Sequence, residues 1–99
     1  MRPKHIHVFA TGGTLDKEYD EAKATLIFRD SHVDEMLRRG RCRVDIETEV
    51  LMLVDSLEIT AVQRERIVEV CRSCAQNHIV ITHGTDTMVE TAKAIAKGV

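Results

Sequence analysis

Three apolar runs, each stopped by a turn of small or hydroxyl-bearing residues, limit what this chain can become. Ile6, Val8 and Phe9 lead into Ala10-Thr11-Gly12-Gly13-Thr14, Leu51 to Val54, after an alternating stretch from Val44, lead into Asp55-Ser56, and Ile79 to Thr82 lead into His83-Gly84-Thr85-Asp86-Thr87. Short β-branched runs bounded in this way read as strands, and the stretches after them carry helical spacing. Strands alternating with helices predict parallel β-α units, and a parallel sheet wants helices over both faces. The expected fold is α/β, doubly wound, with a mainly parallel sheet.

Local signals place the helices. Ser31 is an expected N-cap with Asp34 three residues on, Val33, Met36 and Leu37 form its apolar stripe, and Gly40 stands where a C′ residue would. Thr60 and Gln63 form a capping-box pair, worth about 1 kcal/mol, that opens a helix through about Gln76 with Ile67, Val70, Cys71 and Cys74 on one face. Thr87 and Glu90 repeat the capping pattern before a last helix bearing Met88, Ala92, Ile95 and Ala96. Thr25 to Phe28 read as a short strand or one arm of a hairpin. The strand from Val44 should enter half exposed and end fully buried at Leu51 to Val54, and Ile79 to Thr82 form the clearest buried strand. At Gly98-Val99 a helix would hand over to another strand, so the sheet is expected to be unfinished and residues 1–99 to be a fragment.

Composition narrows the function classes. Ninety-nine residues suit one domain, and 43% hydrophobic with 30% charged residues suits a soluble globular one. A formal charge of -2 supplies no basic field for nucleic acid. Arg38, Arg39, Arg41 and Arg43 read as a solvated helix end that complements the dipole. Arg2 and Lys4 precede an apolar stretch that carries His5 and His7, too short and too polar for a signal segment, and no window approaches a membrane span. A cytoplasmic protein without membrane partners is expected. Three cysteines, an odd number, suit reduced thiols. Cys71 and Cys74 have metal-site spacing, but with only His78 nearby they read as buried structural residues, and no metal is assigned.

The turns carry the chemistry. In open α/β sheets ligands bind beyond the carboxyl ends of the strands, where all three turns fall if the strands are parallel. Gly12 and Gly13 let backbone approach a ligand, Thr14 and Thr85 supply hydroxyls, and Asp86 supplies a carboxylate. A threonine hydroxyl becomes a nucleophile only when a base takes its proton. His83 reads as a hydrogen-bonding structural residue. Thr-Gly-Gly-Thr-Leu-Asp-Lys matches neither a dinucleotide fingerprint nor a phosphate-binding loop.

Ala10-Thr11-Gly12-Gly13-Thr14-Leu15 and Ile81-Thr82-His83-Gly84-Thr85-Asp86-Thr87-Met88, continued by Val89-Glu90-Thr91-Ala92, resemble the two signature segments of the bacterial-type L-asparaginases. The resemblance covers essentially the whole chain as the N-terminal portion of such an enzyme. It implies hydrolysis of asparagine to aspartate and ammonia through an acyl-enzyme, without a cofactor, by a homo-oligomer. By motif position Thr14 would be the nucleophile, with Thr85 and Asp86 in the second threonine-acid cluster and Tyr19 as the lid tyrosine. Ser56 would bind the substrate carboxylate and Asp86 its α-ammonium, beside Gly13 and Gly84, while Leu57 replaces a glutamine common in the large enzymes. The family's lysine beside the second threonine comes from a later segment, and Lys93 and Lys97 do not take its place. The alternative is a single-domain protein that binds a small amide or amino acid without turnover.

Overall fold

A computed structural model describes residues 5–99, so Arg2 and Lys4 lie outside the described residues. Its centre is β1 (His5–Gly12), flanked by β4 (Asp45–Val54) and β5 (Ile79–Thr82), and both pairings are parallel. Between β1 and β4 in sequence come β2 (Lys17–Asp20) and β3 (Thr25–Phe28), an antiparallel hairpin that forms its own two-stranded sheet. The Asp20 carboxylate accepts from the Ala22 and Lys23 amides and closes the hairpin turn. The expected arm of a hairpin at Thr25 to Phe28 therefore has its partner in a charged segment with little apolar signal.

Alternation along β1 sends residues to two helical layers. Val8 and Ala10 pack with Val33 of α1 (Val33–Arg39), and Leu37, Ile6 and Ile46 extend that cluster. His7 and Phe9 face the other side, toward Val70 and Cys74 of α2 (Ala61–Ser73) and its end. There Ile67, Val68 and Cys71 are buried, and α3 (Met88–Gly98) packs so closely that a Cβ on Gly98 would come 2.6 Å from Val68. The parallel sheet with helices over both faces is thus present.

Burial departs from expectation because of strand order. β5, which reads as the clearest buried strand, lies at one edge, where Val80 is 48% exposed. Leu51 to Val54, expected to be fully buried, are half-buried on the opposite edge. Among the described residues only β1 has a neighbour on each side, and its Val8, Phe9 and Ala10 are buried in the core.

The capping expectations divide in the same way. Thr60 and Gln63 form both bonds of the capping box, and α2 ends at Ser73, three residues early. At α1 the N-cap is His32, because the Ser31 hydroxyl donates to Asp16 and accepts from the Val33 amide. Asp34 instead accepts from Thr48 of β4, tying helix to sheet. Gly40 keeps a right-handed conformation, and Arg41, at φ 54°, is the left-handed C′ residue. Its amide reaches Arg38 O and that of Cys42 reaches Leu37 O, a Schellman closure shifted one residue from the glycine. Met36 is exposed, and in α3 the buried position is Thr91, with Met88 outside.

Candidate active site

The carboxyl ends of β1, β4 and β5 enclose a cleft of about 230 Å³ lined by Gly13, Thr14, Leu15, Asp55, Ser56, His83, Gly84, Thr85 and Asp86. All three hydroxyl-bearing turns therefore meet at one place, as a parallel sheet requires. A larger hollow of about 300 Å³ opens at the side of the sheet, between Glu47, Glu49 and the end of α2. Its carboxylates, Glu47 and Glu49, lie on the strand side, away from the three turns, whereas the cleft gathers Thr14, Ser56, Thr85 and Asp86 at the strand ends.

Close backbone packing forms the cleft wall. Gly13, at φ 91°, lies so near the second turn that a Cβ would sit 2.8 Å from Gly84 N, and a Cβ on Gly84 would sit 2.8 Å from Ser56 Oγ. The Gly13 amide donates to Val54 O. Its contribution is therefore space for Gly84, and its N–H is not presented to a ligand as the sequence suggested.

The two threonines of the first turn have different duties. Thr11 is buried and its hydroxyl donates to Thr82 O at 2.6 Å, stitching β1 to β5. Thr14 is exposed at the cleft and opens a 3-10 turn, Thr14–Asp16, closed by the Asp16 amide on Gly13 O. Asp16 fixes that turn from below. Fully buried, its carboxylate accepts from the His32 amide at 2.7 Å and the Ser31 hydroxyl at 3.0 Å. Sequence reasoning missed Asp16, since its partners are fifteen and sixteen residues away.

Ser56 sits at the end of β4 with its hydroxyl directed at the second turn. It accepts from the Asp86 amide and donates to the Asp86 carboxylate, while Ser56 O accepts from the Thr87 hydroxyl at 2.7 Å. Thr87 is the N-cap of α3, but its side chain is spent on Ser56, so the expected capping box with Glu90 does not form. Thr85 and Asp86 are exposed, facing Thr14 around the cleft.

Two basic groups lie near the cleft and both are engaged. The Lys17 ammonium is 2.7 Å from the Asp55 carboxylate and stands over the Phe28 ring, an anchor between hairpin and cleft that sequence reasoning did not find. His83 is buried, with one ring nitrogen on Gly84 O and the other on Thr91 Oγ1. Tyr19, on β2 opposite Leu26, is 59% exposed and does not line the cleft. Among the described residues no group of three or more His, Cys, Asp or Glu is placed to hold a metal ion. Cys71 and Cys74 are free, the first buried and the second half-buried.

Fold and cleft together define a parallel α/β domain with a cleft of hydroxyls and carboxylates at its strand ends. The model of the asparaginase N-terminal family matches residues 5–98, and the chain belongs to that family. The thermostable L-asparaginase from Thermococcus kodakarensis superposes with a TM-score of 0.78 at 27% identity, over 94% of this chain and 29% of that one. A probable cytoplasmic L-asparaginase from Campylobacter jejuni gives 0.72 at 30% identity, over 93% of this chain and 30% of that one. L-asparaginase I from Vibrio cholerae, at 23% identity, shares the fold with a TM-score of 0.71 over 94% of this chain and 29% of that one. The chain thus spans less than a third of the length of these structures. No curated protein sequence matches it.

Proposed function

We propose that residues 1–99 form the nucleophile-bearing N-terminal domain of an L-asparaginase-type amidohydrolase, which converts asparagine to aspartate and ammonia. The observation that carries this reading is the meeting of Thr14, Thr85 and the Ser56–Asp86 pair around one cleft. Thr14 Oγ attacks the side-chain amide carbon, its proton passes to the leaving nitrogen, and ammonia departs. Water then hydrolyses the Thr14 ester and releases aspartate. Asp86 receives the substrate ammonium, and Ser56 turns its hydroxyl toward the α-carboxylate. Gly13 and Gly84 pack against each other as the wall beside the substrate, and Thr85 forms the second hydroxyl of the site. Tyr19 reaches Thr14 when the hairpin folds over the cleft.

The reaction calls for no cofactor. The working enzyme is read as a cytoplasmic homo-oligomer whose site is completed from outside these residues, including a lysine against Thr85. The name of the Campylobacter protein supports that location, and no helix among the described residues is long and apolar enough to cross a membrane.

A second reading, amino-acid binding without turnover, is favoured by one observation. His83, which lines the cleft, has both ring nitrogens engaged, and the Lys17 ammonium is paired with Asp55, so neither is free to act as the base that takes the Thr14 proton. Ammonia release from asparagine, measured on this chain and on the longest product of its reading frame, separates the two. Hydrolysis by the longer product, abolished by Thr14→Ala, is the expected result. Calorimetric binding of aspartate with both proteins inert would establish the second reading instead.

A further inference from the structure

Behind the cleft wall, three elements contribute to one directed chain of hydrogen bonds. Arg64 Nε of α2 lies 3.0 Å from Thr91 Oγ1 of α3, Thr91 Oγ1 lies 2.8 Å from His83 Nε2, and His83 Nδ1 bonds the Gly84 carbonyl. For a neutral imidazole, chemistry fixes every direction. A guanidinium can only donate, so the Thr91 oxygen accepts from Arg64 and its single hydrogen is left for His83 Nε2. A carbonyl can only accept, so His83 Nδ1 carries the ring proton and Nε2 is the acceptor.

The chain is protected and aimed. Thr91 is 2% exposed and His83 is 7% exposed, so solvent does not compete for either group. Arg64 is held in register by the first turn of α2, where its amide donates to Thr60 O next to the capping box. At the far end the Gly84 carbonyl belongs to the residue that stacks against Gly13 and Ser56 in the cleft wall.

We propose that Arg64 and Thr91 are positioning residues of the cleft, which set His83 in its Nδ1–H tautomer and thereby hold the Gly84 wall against Gly13. Without Arg64 the Thr91 hydroxyl is free to donate or accept, so Nε2 can compete for the ring proton and the Gly84 carbonyl is left as the single group that favours Nδ1–H. Released from Nδ1–H, the Gly84 carbonyl turns and the wall shifts. The proposal rests on the cleft being the ligand site, but its test needs no turnover.

The test is nitrogen NMR of the histidine ring in the full chain, with the Gly13 and Gly84 amide resonances read in the same samples. The wild type should show a protonated Nδ1 and an unprotonated Nε2 for His83. Thr91→Val and Arg64→Met should each move both ring resonances and displace the Gly13 and Gly84 amides, and Thr91→Ser should restore the wild-type pattern. Aspartate affinity should fall on the order of 10-fold in the first two, since sub-ångström misplacement of a site is that costly. A wild-type Nε2–H tautomer, or Gly13 and Gly84 amides unmoved in both variants, would overturn the proposal. A wild type with the Nδ1–H tautomer that releases no ammonia and binds no aspartate counts against the hydrolase reading alone.

Discussion

Ser56 and Asp86, thirty residues apart, hold each other through two hydrogen bonds: the Asp86 amide donates to Ser56 Oγ at 3.0 Å, and the Ser56 hydroxyl donates to Asp86 Oδ2 at 3.3 Å. Ser56 is 2% exposed whereas Asp86 is open to solvent, so a floor residue orients a residue at the mouth. Ser56→Ala should cost about 1–2 kcal/mol, because the Asp86 amide loses its acceptor. Urea unfolding measures that cost. Aspartate binding by calorimetry should weaken by roughly 5–10-fold, about 1 kcal/mol of lost orientation. Unchanged affinity would mean that Asp86 needs no help from Ser56.

Gly13→Ala should lose about 2–3 kcal/mol, since a side chain at φ 91° is strained and the Cβ would meet backbone 2.8 Å away. Gly40→Ala is the control. Gly40 is right-handed and its nearest obstacle is 3.3 Å away, so its urea midpoint should hardly move. Equal effects at the two sites would show that the cleft wall is not tightly packed.

Asp16 links the Thr14 turn to the start of α1, so Asp16→Ala should destabilise by about 2–3 kcal/mol by orphaning the Ser31 hydroxyl and the His32 amide. Asp16→Asn should fall between that variant and the wild type, because an amide oxygen can still accept from His32. Thermal unfolding of the three proteins gives the order. An alanine variant as stable as the asparagine one would remove the carboxylate's structural role.

Burial, and to a lesser extent the nearby Cys74, push the Cys71 thiol above its ordinary value of 9.0. A raised folded-state value keeps its stabilising effect below 9.0 and loses it as pH rises further, because the unfolded chain then releases the thiol proton more readily. Wild-type stability should therefore fall more steeply between neutral pH and strongly alkaline pH than that of Cys71→Ala. At pH 7, maleimide should label exposed Cys42 first, half-buried Cys74 next and buried Cys71 last. Fast labelling of Cys71 in the folded protein would contradict its packing.

What could be read from the residues alone was short-range. The Thr60–Gln63 capping box spans three positions and forms as read, whereas Thr87 and Glu90 have the same spacing and do not pair. The difference lies outside the motif, in a Ser56 carbonyl that captures the Thr87 hydroxyl. The buried character expected for Ile79 to Thr82 failed for a similar reason. β-branching marks a strand, but only strand order tells which strand has two neighbours.

The sequence by itself determined the strand-helix alternation, and its two threonine-bearing motifs pointed to the family and to a cleft at the strand ends. Those signals survive because periodicity, turns and motifs are written in neighbouring residues. Tertiary structure alone decided that Thr11 is a stitch and Thr14 is open, that Asp16 supports the turn, and that Lys17 and Arg64 have Asp55 and Thr91 as partners. A hydroxyl or charge has many possible partners along a chain, and only the packing of β1, β4 and β5 with the helices brings one of them within bonding distance.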